Sequence, residues 1–363
     1  MMTSSFCVIG IGGYSGYGKT TLIERVAREL KREGLYVGLL KHTSHHRLSL
    51  DGEGKDSERF YRAGVDFVFA HDAHQGFARF PLQDAGLPDA LAHFPKGLDI
   101  VLVEGHKNSD IRGIWILPDG RKTGEQNIRE RASREFIRRD DPKYFEKVMG
   151  YIHHEIGSFH SGRTLMAGLL VGGRSRRMGT PKAMLKIREE TLVERSFNTL
   201  AGVASRALFL GSAELPGHLG SADRLADTAG VEGPMAGVLS AFRWAPESAW
   251  IVSAVDMPFM DTKAWKWVLD QRRPGVWAVL PLLKSGAKAE TMAACYEPMI
   301  FGYVESLARN GIRTLQKLTD HPKVITPLVP ESLSHAWKNV NTSQEWKEAR
   351  ALMEKISHRD QKG

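Results

Sequence analysis

Cysteine is nearly absent from this chain of 363 residues, which carries only Cys7 and Cys295. No C-x-x-C occurs, which argues against a thiolate zinc site or an iron–sulfur cluster, and both cysteines read as buried core residues. No run of 18 apolar residues exists, so no segment is expected to span a membrane. The N-terminus lacks a basic stretch followed by a long apolar one, so no secretory signal is expected, and a cytoplasmic location is the default expectation. A long tract of one charge is also missing. The net charge is +8 with 25% charged residues, and the Lys and Arg residues gather near two glycine-rich loops and across 121–139. No recognisable nucleic-acid motif accompanies them, so anionic small ligands are the expected partners.

What the chain does have is two loops suited to phosphate. The first, Gly13-Tyr14-Ser15-Gly16-Tyr17-Gly18-Lys19-Thr20, fits G-x-x-x-x-G-K-[ST] at every fixed position. An apolar strand-like run (6–11) precedes it. A segment of helical spacing (21–30) follows, with Leu22, Ile23, Val26 and Leu30 on one face. In that context Gly13, Gly16, Gly18, Lys19, Thr20 and Thr21 are candidate phosphate ligands. Lys19 would reach the terminal phosphates, and the Thr20 hydroxyl would help hold Mg2+. The competing reading is a chance match in a strand-to-helix turn.

The second loop runs from Leu170-Val171-Gly172-Gly173 through Arg177 to Lys182. An apolar run opens into glycines that allow close backbone approach, and a lysine closes it. No Gly-Lys-Ser/Thr follows, so it is not a second Walker A loop. Arg177 and Lys182 could neutralise a triphosphate and a departing pyrophosphate. The bland alternative is an arginine-rich surface turn.

Alternating strand-like and helix-like segments predict an α/β fold with two three-layer αβα domains. These are 1–150, a linker at 151–163 rich in His, Gly and Ser, and 164–363. Strands are expected at 7–11, 36–40, 66–70, 99–105, 165–171, 207–210, 250–254 and 277–280. Helices are expected at 57–63, 192–201, 236–244, 262–271 and 302–308, and 120–149 is expected to be helical after a loop. The run Asp99-Ile100-Val101-Leu102-Val103-Glu104 ends in an acid placed to act on Mg2+ or its water. His42, His45 and His46, and separately His71 and His74, could ligate a metal, but read more simply as polar loop residues.

Beside its Walker A loop, the first half carries Lys41-His42, Gly54-Lys55-Asp56-Ser57 and Glu104-Gly105-His106-Lys107 in that order. Over about residues 5–150 it resembles molybdopterin-guanine dinucleotide biosynthesis protein B. That resemblance implies a P-loop NTPase-like domain that binds GTP and assists a transferase, with Glu104 near the metal. No N/T-K-x-D motif occurs, so base choice at this loop has no support from residues.

The second half carries, after its glycine loop, Leu225-Ala226-Asp227, Gly233-Pro234-Met235-Ala236-Gly237, Asp256-Met257-Pro258 and Asn339-Val340-Asn341-Thr342. Over about 164–351 it resembles molybdenum cofactor guanylyltransferases. The resemblance implies a Rossmann-like nucleotidyltransferase domain with GTP as substrate. GTP would be bound by Leu170, Val171, Gly172, Gly173, Lys182, Asp227 and Asp256, and the pterin would lie near Asn339 and Asn341. Asp256 would hold Mg2+, and Lys182, Arg177 and Asp256 would be catalytic. Val171, Met257 and Gly211-Ser212 depart from the usual pattern.

The implied reaction joins GMP from GTP to the terminal phosphate of molybdopterin, with or without molybdenum, and releases pyrophosphate. The acceptor phosphate is already nucleophilic, so no general base is required. Rival readings are a cytidylyltransferase acting on the same pterin and a cofactor-binding or delivery module. Gly172 favours a purine, because pterin cytidylyltransferases resemble Ala-Ala-Gly at 171–173. Candidate protein partners are molybdenum-insertion proteins and molybdoenzyme chaperones.

Overall fold

In a computed structural model the described residues are 5–14, 16–42, 59–60, 62–65, 67–80, 86–105, 110–117, 134–172, 184–187, 189–220 and 222–360, with the backbone alone for 354–360. The chain divides into two compact units. One comprises Val8–Arg32 and Val37–His153; the other comprises His154–Gly363 with Thr3–Cys7 and Glu33–Tyr36.

The first unit is built on strands β1 (Cys7–Gly13), β2 (Val37–Lys41), β5 (Ile100–Glu104), β6 (Gly113–Leu117) and β7 (Arg134–Arg138), in the order β2-β5-β1-β6-β7. The pairs β2–β5, β1–β6 and β6–β7 are parallel. Strand β5 is buried at Ile100, Val101, Leu102 and Val103, as a strand covered on both faces should be. Helix α1 (Lys19–Arg32) buries Leu22, Ile23, Val26 and Leu30, the face that its spacing predicts. Strands β3 (Val68–His71) and β4 (Gly76–Arg79) form a separate antiparallel hairpin. A short helix, α2 (Leu87–Ala92), follows it.

One sequence expectation fails here, and the expected linker turns out to be regular, each for an identifiable reason. Of the charged segment 120–149, expected to be helical after a loop, 120–133 lie outside the described residues, β7 occupies 134–138, and 144–149 are helical. The β7 alternation Arg134-Glu135-Phe136-Ile137-Arg138 is that of a charged edge strand with Ile137 buried. The expected linker 151–163 lies largely within helix α3 (Tyr144–Ser161). Its His, Gly and Ser content hides a stripe of buried Val148, Ile152 and Ile156 at four-residue intervals.

The second unit contains strands β8 (Leu165–Leu170), β11 (Arg206–Leu210), β12 (Arg224–Leu225), β13 (Ala249–Ala254), β14 (Ala278–Val279), β15 (Ala293–Tyr296) and β16 (Val324–Ile325). Their order is β12-β11-β8-β13-β15-β14-β16. Strands β9 (Lys186–Ile187) and β10 (Glu190–Thr191) form a small antiparallel pair. Strand β8 pairs in parallel with both β11 and β13, whereas β15 runs antiparallel to β13.

Alternate residues of the central strands feed separate cores. Ala167, Leu169, Phe209 and Ile251 face one, which is covered by helices α4 (Leu192–Ala201), α6 (Thr262–Asp270) and α8 (Ser343–Asp360). Met166, Leu208, Trp250 and Val252 face the other, covered by α5 (Pro234–Trp244) and α7 (Phe301–Arg309). The result is the expected αβα layering. Cys7 and Cys295 are buried and reduced, and burial pushes the Cys295 thiol up to about 12.

Candidate active site

In the first unit the carboxyl ends of β1 and its neighbours collect the sequence-predicted residues. Gly13 closes β1, and Lys19 opens α1. Gly16 and Gly18 adopt φ of +80° and +71°, a conformation that side-chain-bearing residues rarely take. Lys19 Nζ donates to the Tyr14 carbonyl oxygen at 2.6 Å, so its ammonium lies back over the loop. Thr20 and Thr21 follow on the exposed first turn of the helix.

The Lys41-His42 and Glu104-Gly105 motifs, 63 positions apart in sequence, become direct neighbours. Lys41 and Glu104 are register partners on β2 and β5, and Lys41 Nζ lies 3.8 Å from Glu104 Oε2. The His42 amide donates to the Glu104 carbonyl oxygen at 2.9 Å. A Cβ on Gly105 would sit 2.9 Å from His42 Cβ, which requires glycine there.

In the second unit, β8 ends at Leu170 and delivers Val171 and Gly172. Strand order reverses around β8, the crevice position where open α/β sheets bind ligands. Asp227 faces this loop: a Cβ on Gly172 would lie 4.0 Å from Asp227 Oδ2. Helix α5 holds the Asp227 segment through Ser240. Its hydroxyl donates to the Ala226 carbonyl at 2.7 Å and lies 3.0 Å from Thr228 Oγ1. The helix approaches the sheet closely because residue 237 is glycine; a Cβ there would sit 2.5 Å from Leu170 Cδ2 and 3.2 Å from Leu210 Cβ.

Asp256 lies two residues beyond the end of β13. It does not cap the next helix: Asp261 takes that role, accepting from the Ala264 amide at 2.8 Å. The Val340 amide donates to the Asp256 carbonyl at 2.9 Å, which brings the Asn339–Asn341 segment to the same place. Asn339 Oδ1 is buried with no hydrogen-bond partner among the described residues. Asn341 is placed differently, since its amide donates to Glu345 Oε2 at 2.7 Å in the cap of α8.

Glu290 is a residue that sequence reasoning missed. Ser253 and Ala293 are register partners in the antiparallel β13–β15 pair, and continuing that register sets Glu290 opposite Asp256. Burial and then the Asp256 charge push the Glu290 carboxyl up. Only the fold reveals the pair, because 34 positions separate the two residues.

Oxygen donors of this kind suit Mg2+, which takes one or two carboxylates and completes its shell with phosphate oxygens and water. Among the described residues no group of three or more His, Cys, Asp or Glu could hold a metal ion by protein ligands alone. Gly173, Arg177 and Lys182 lie outside the described residues, as do Ser15, His45, His46, 54–57, His106 and Lys107. His71 ends β3 and His74 lies in the hairpin turn, where Asp72 Oδ1 accepts from the His74 and Gln75 amides. That arrangement fits the polar-loop reading.

Residues 167–326 match the family model described as MobA-like NTP transferase domain. A relative from Opitutus terrae named "Probable molybdenum cofactor guanylyltransferase" is 33% identical over 158 residues, covering 42% of this chain and 76% of that protein. The chain belongs to the molybdenum cofactor guanylyltransferase family. Another member, the molybdenum cofactor guanylyltransferase of Sinorhizobium fredii, is 29% identical over 218 residues, covering 52% of this chain and 92% of that protein. In this guanylyltransferase-family chain the N-terminal residues 8–135 match a second family model, molybdopterin guanine dinucleotide synthesis protein B. There the molybdopterin-guanine dinucleotide biosynthesis adapter protein of Haemophilus influenzae is 38% identical over 117 residues. The match covers 32% of this chain and 65% of the adapter, just under two thirds of its length. Among the described residues no helix is long and apolar enough to cross a membrane.

Proposed function

We propose that the second unit transfers GMP from GTP to the terminal phosphate of molybdopterin, with or without molybdenum, releasing pyrophosphate, while the first unit binds a second GTP as an accessory. The observation that carries this reading is the convergence of Gly172, Asp227, Asp256 and Asn339 at the carboxyl edge of one sheet. There a Cβ at Gly172 would lie 4.0 Å from Asp227 Oδ2, Asp256 is level with Gly172 across the β8–β13 register, and the Val340 amide bound to the Asp256 carbonyl keeps the buried Asn339 oxygen at the same edge.

The acceptor phosphate needs no activation by a base, so the chain's task is positioning and charge stabilisation. Gly172 admits the nucleotide closely, and Asp227 faces it from the β12 side. Asp256 would supply a carboxylate to Mg2+ against the triphosphate, and Asn339 and Asn341 would lie near the pterin. The ion, when bound, would neutralise charge that develops on the phosphate chain. Arg177 and Lys182 would face the α-phosphate and the leaving pyrophosphate. In the first unit Gly13, Gly16, Gly18 and Lys19 would cradle phosphates, with Thr20, Thr21 and Glu104 near the metal end. The proposed division of roles follows residues 1–150 and 164–363, joined through helix α3.

GTP is the proposed donor over CTP. Among the described residues a methyl group at position 172 would meet only Asp227, at 4.0 Å, and glycine leaves that space for a purine. Incubating the chain with molybdopterin, Mg2+ and each nucleoside triphosphate, followed by mass analysis of the pterin, tests the reading. A guanine dinucleotide product is expected; an unmodified pterin with every nucleotide would refute it.

A further inference from the structure

Among the basic residues between β6 and α3, one lies against the Walker A loop. Register carries it there. Gly13, Ile116 and Ile137 are successive partners across β1, β6 and β7. The carboxyl ends of these three strands are therefore level, and Arg139, two residues past Ile137, emerges beside the loop that Gly13 opens. Its amide donates to the Leu117 carbonyl at 3.3 Å, which fixes the backbone at that edge.

The guanidinium itself lies 3.4 Å (Nη1), 3.5 Å (Cζ) and 3.6 Å (Nη2) from the point where a Gly18 side chain would begin. Three nearly equal distances mean that the group lies face-on against the glycine. Its N–H donors then point sideways, in the plane of the guanidinium. The neighbouring Arg138 is occupied by Asp140, with Nε and Nη2 at 3.1 and 3.2 Å from the two carboxylate oxygens. Asp141 pairs with Lys147. Among the described residues Arg139 makes no ion pair. A rigid, planar fork of donors fits carboxylate and phosphate geometry alike, and beside a phosphate-binding loop the ligand it fits is phosphate.

We infer that Arg139 is a second phosphate-binding cation of the N-terminal loop, presented from β7 and acting with Lys19 on the terminal phosphates of a nucleoside triphosphate. This rests on the reading of 13–20 as a working P-loop.

Titration calorimetry of the full chain tests the assignment with inorganic tripolyphosphate and with GMP as probes, using wild type, Lys19→Ala, Arg139→Gln and Arg139→Lys. The contribution of the C-terminal site is common to all four proteins. Arg139 is exposed, so its variants should fold, and circular dichroism checks this. Arg139→Gln is expected to weaken tripolyphosphate binding by about tenfold or more, the scale of one charge-assisted contact, and GMP binding by less than about twofold. Arg139→Lys should recover part of the loss. If Lys19→Ala weakens tripolyphosphate binding and Arg139→Gln does not, the inference is overturned. It is equally overturned if GMP and tripolyphosphate lose affinity alike, because the side chain would then serve the nucleoside end. If Lys19→Ala has no effect on either probe, the P-loop reading itself fails.

Discussion

Replacing Glu297 by Gln removes one charge from a buried cluster in the second unit. The side chain is 2% exposed and lies 2.6 Å from Arg272 Nε, 3.3 Å from His160 Nε2 and 3.5 Å from Arg163 Nη1. Burial alone would raise its pKa. The close His160 imidazole and the Arg272 charge outweigh that effect and hold the carboxyl at about 2, well below its ordinary 4.5. With the carboxylate gone, two largely buried guanidinium groups lose their counter-charge. Breaking a buried pair from one side costs about 3–5 kcal/mol, and the Gln carbonyl can still accept one hydrogen bond, so the lower end is expected. Urea unfolding is the assay, followed by fluorescence of Trp250, Trp265 and Trp337, all less than 2% exposed. With slopes of about 1–3 kcal/mol per molar urea, the midpoint should fall by at least about 1 M. The pH dependence fixes the sign. A carboxyl with a lowered folded-state pKa contributes stability that is complete above its unfolded value near 4.5 and is lost as pH falls toward 2. The difference between wild type and variant should therefore narrow across that window. A difference within about 1 kcal/mol at pH 7, or one that stays constant down to pH 2, would refute the reasoning.

Three further outcomes follow from the geometry. Lys19→Ala should weaken triphosphate binding in the first unit while leaving pterin transfer by the second within about threefold, checked by nucleotide titration and pyrophosphate release. Gly172→Ala should leave stability unchanged, because among the described residues its new methyl group meets nothing closer than Asp227 Oδ2 at 4.0 Å. It should shift nucleotide use from GTP toward CTP in a competition assay, and an unchanged ratio would count against the steric account of base choice. Gly237→Ala should behave in the opposite way. Its Cβ would sit 2.5 Å from Leu170 Cδ2 and 3.2 Å from Leu210 Cβ. Overpacking of about 1–3 kcal/mol should exceed the roughly 1 kcal/mol that alanine gains in a helix. A variant as stable as wild type in thermal unfolding would contradict the close approach of α5 to the sheet.

Much of the fold was legible because the central strands are buried on both faces and so read as apolar runs: Ile100-Val101-Leu102-Val103 and Leu165 to Leu170 are examples. Helix α4 was found at its exact limits, with Thr191 and Glu194 forming a capping box. Strand β7 was not found, because an edge strand with one buried residue looks like any charged segment. Helix α3 was obscured by composition, since Gly150 and Gly157 fall on a helix whose buried stripe is Val148, Ile152 and Ile156. Asp256 was visible from its position after an apolar run, whereas Asp227 was visible only through its resemblance to a family motif. Glu290 and Arg139 were not, because each reaches its site through register with a distant strand and nothing local marks it. The pairing of Lys41-His42 with Glu104-Gly105 is the same effect, two separate motifs that the β2–β5 register turns into one structure.

The central claim is that Asp256 and its neighbours make the second unit a pterin guanylyltransferase. The direct test is mass analysis of molybdopterin after incubation with GTP and Mg2+, using wild type and Asp256→Asn, with circular dichroism as the check on folding. Wild type should yield molybdopterin guanine dinucleotide and stoichiometric pyrophosphate. The folded variant should be slower by orders of magnitude, because a ligand to the charge-neutralising ion is lost. Wild-type turnover by the variant to within about threefold, or no dinucleotide from the wild type itself, would contradict the account.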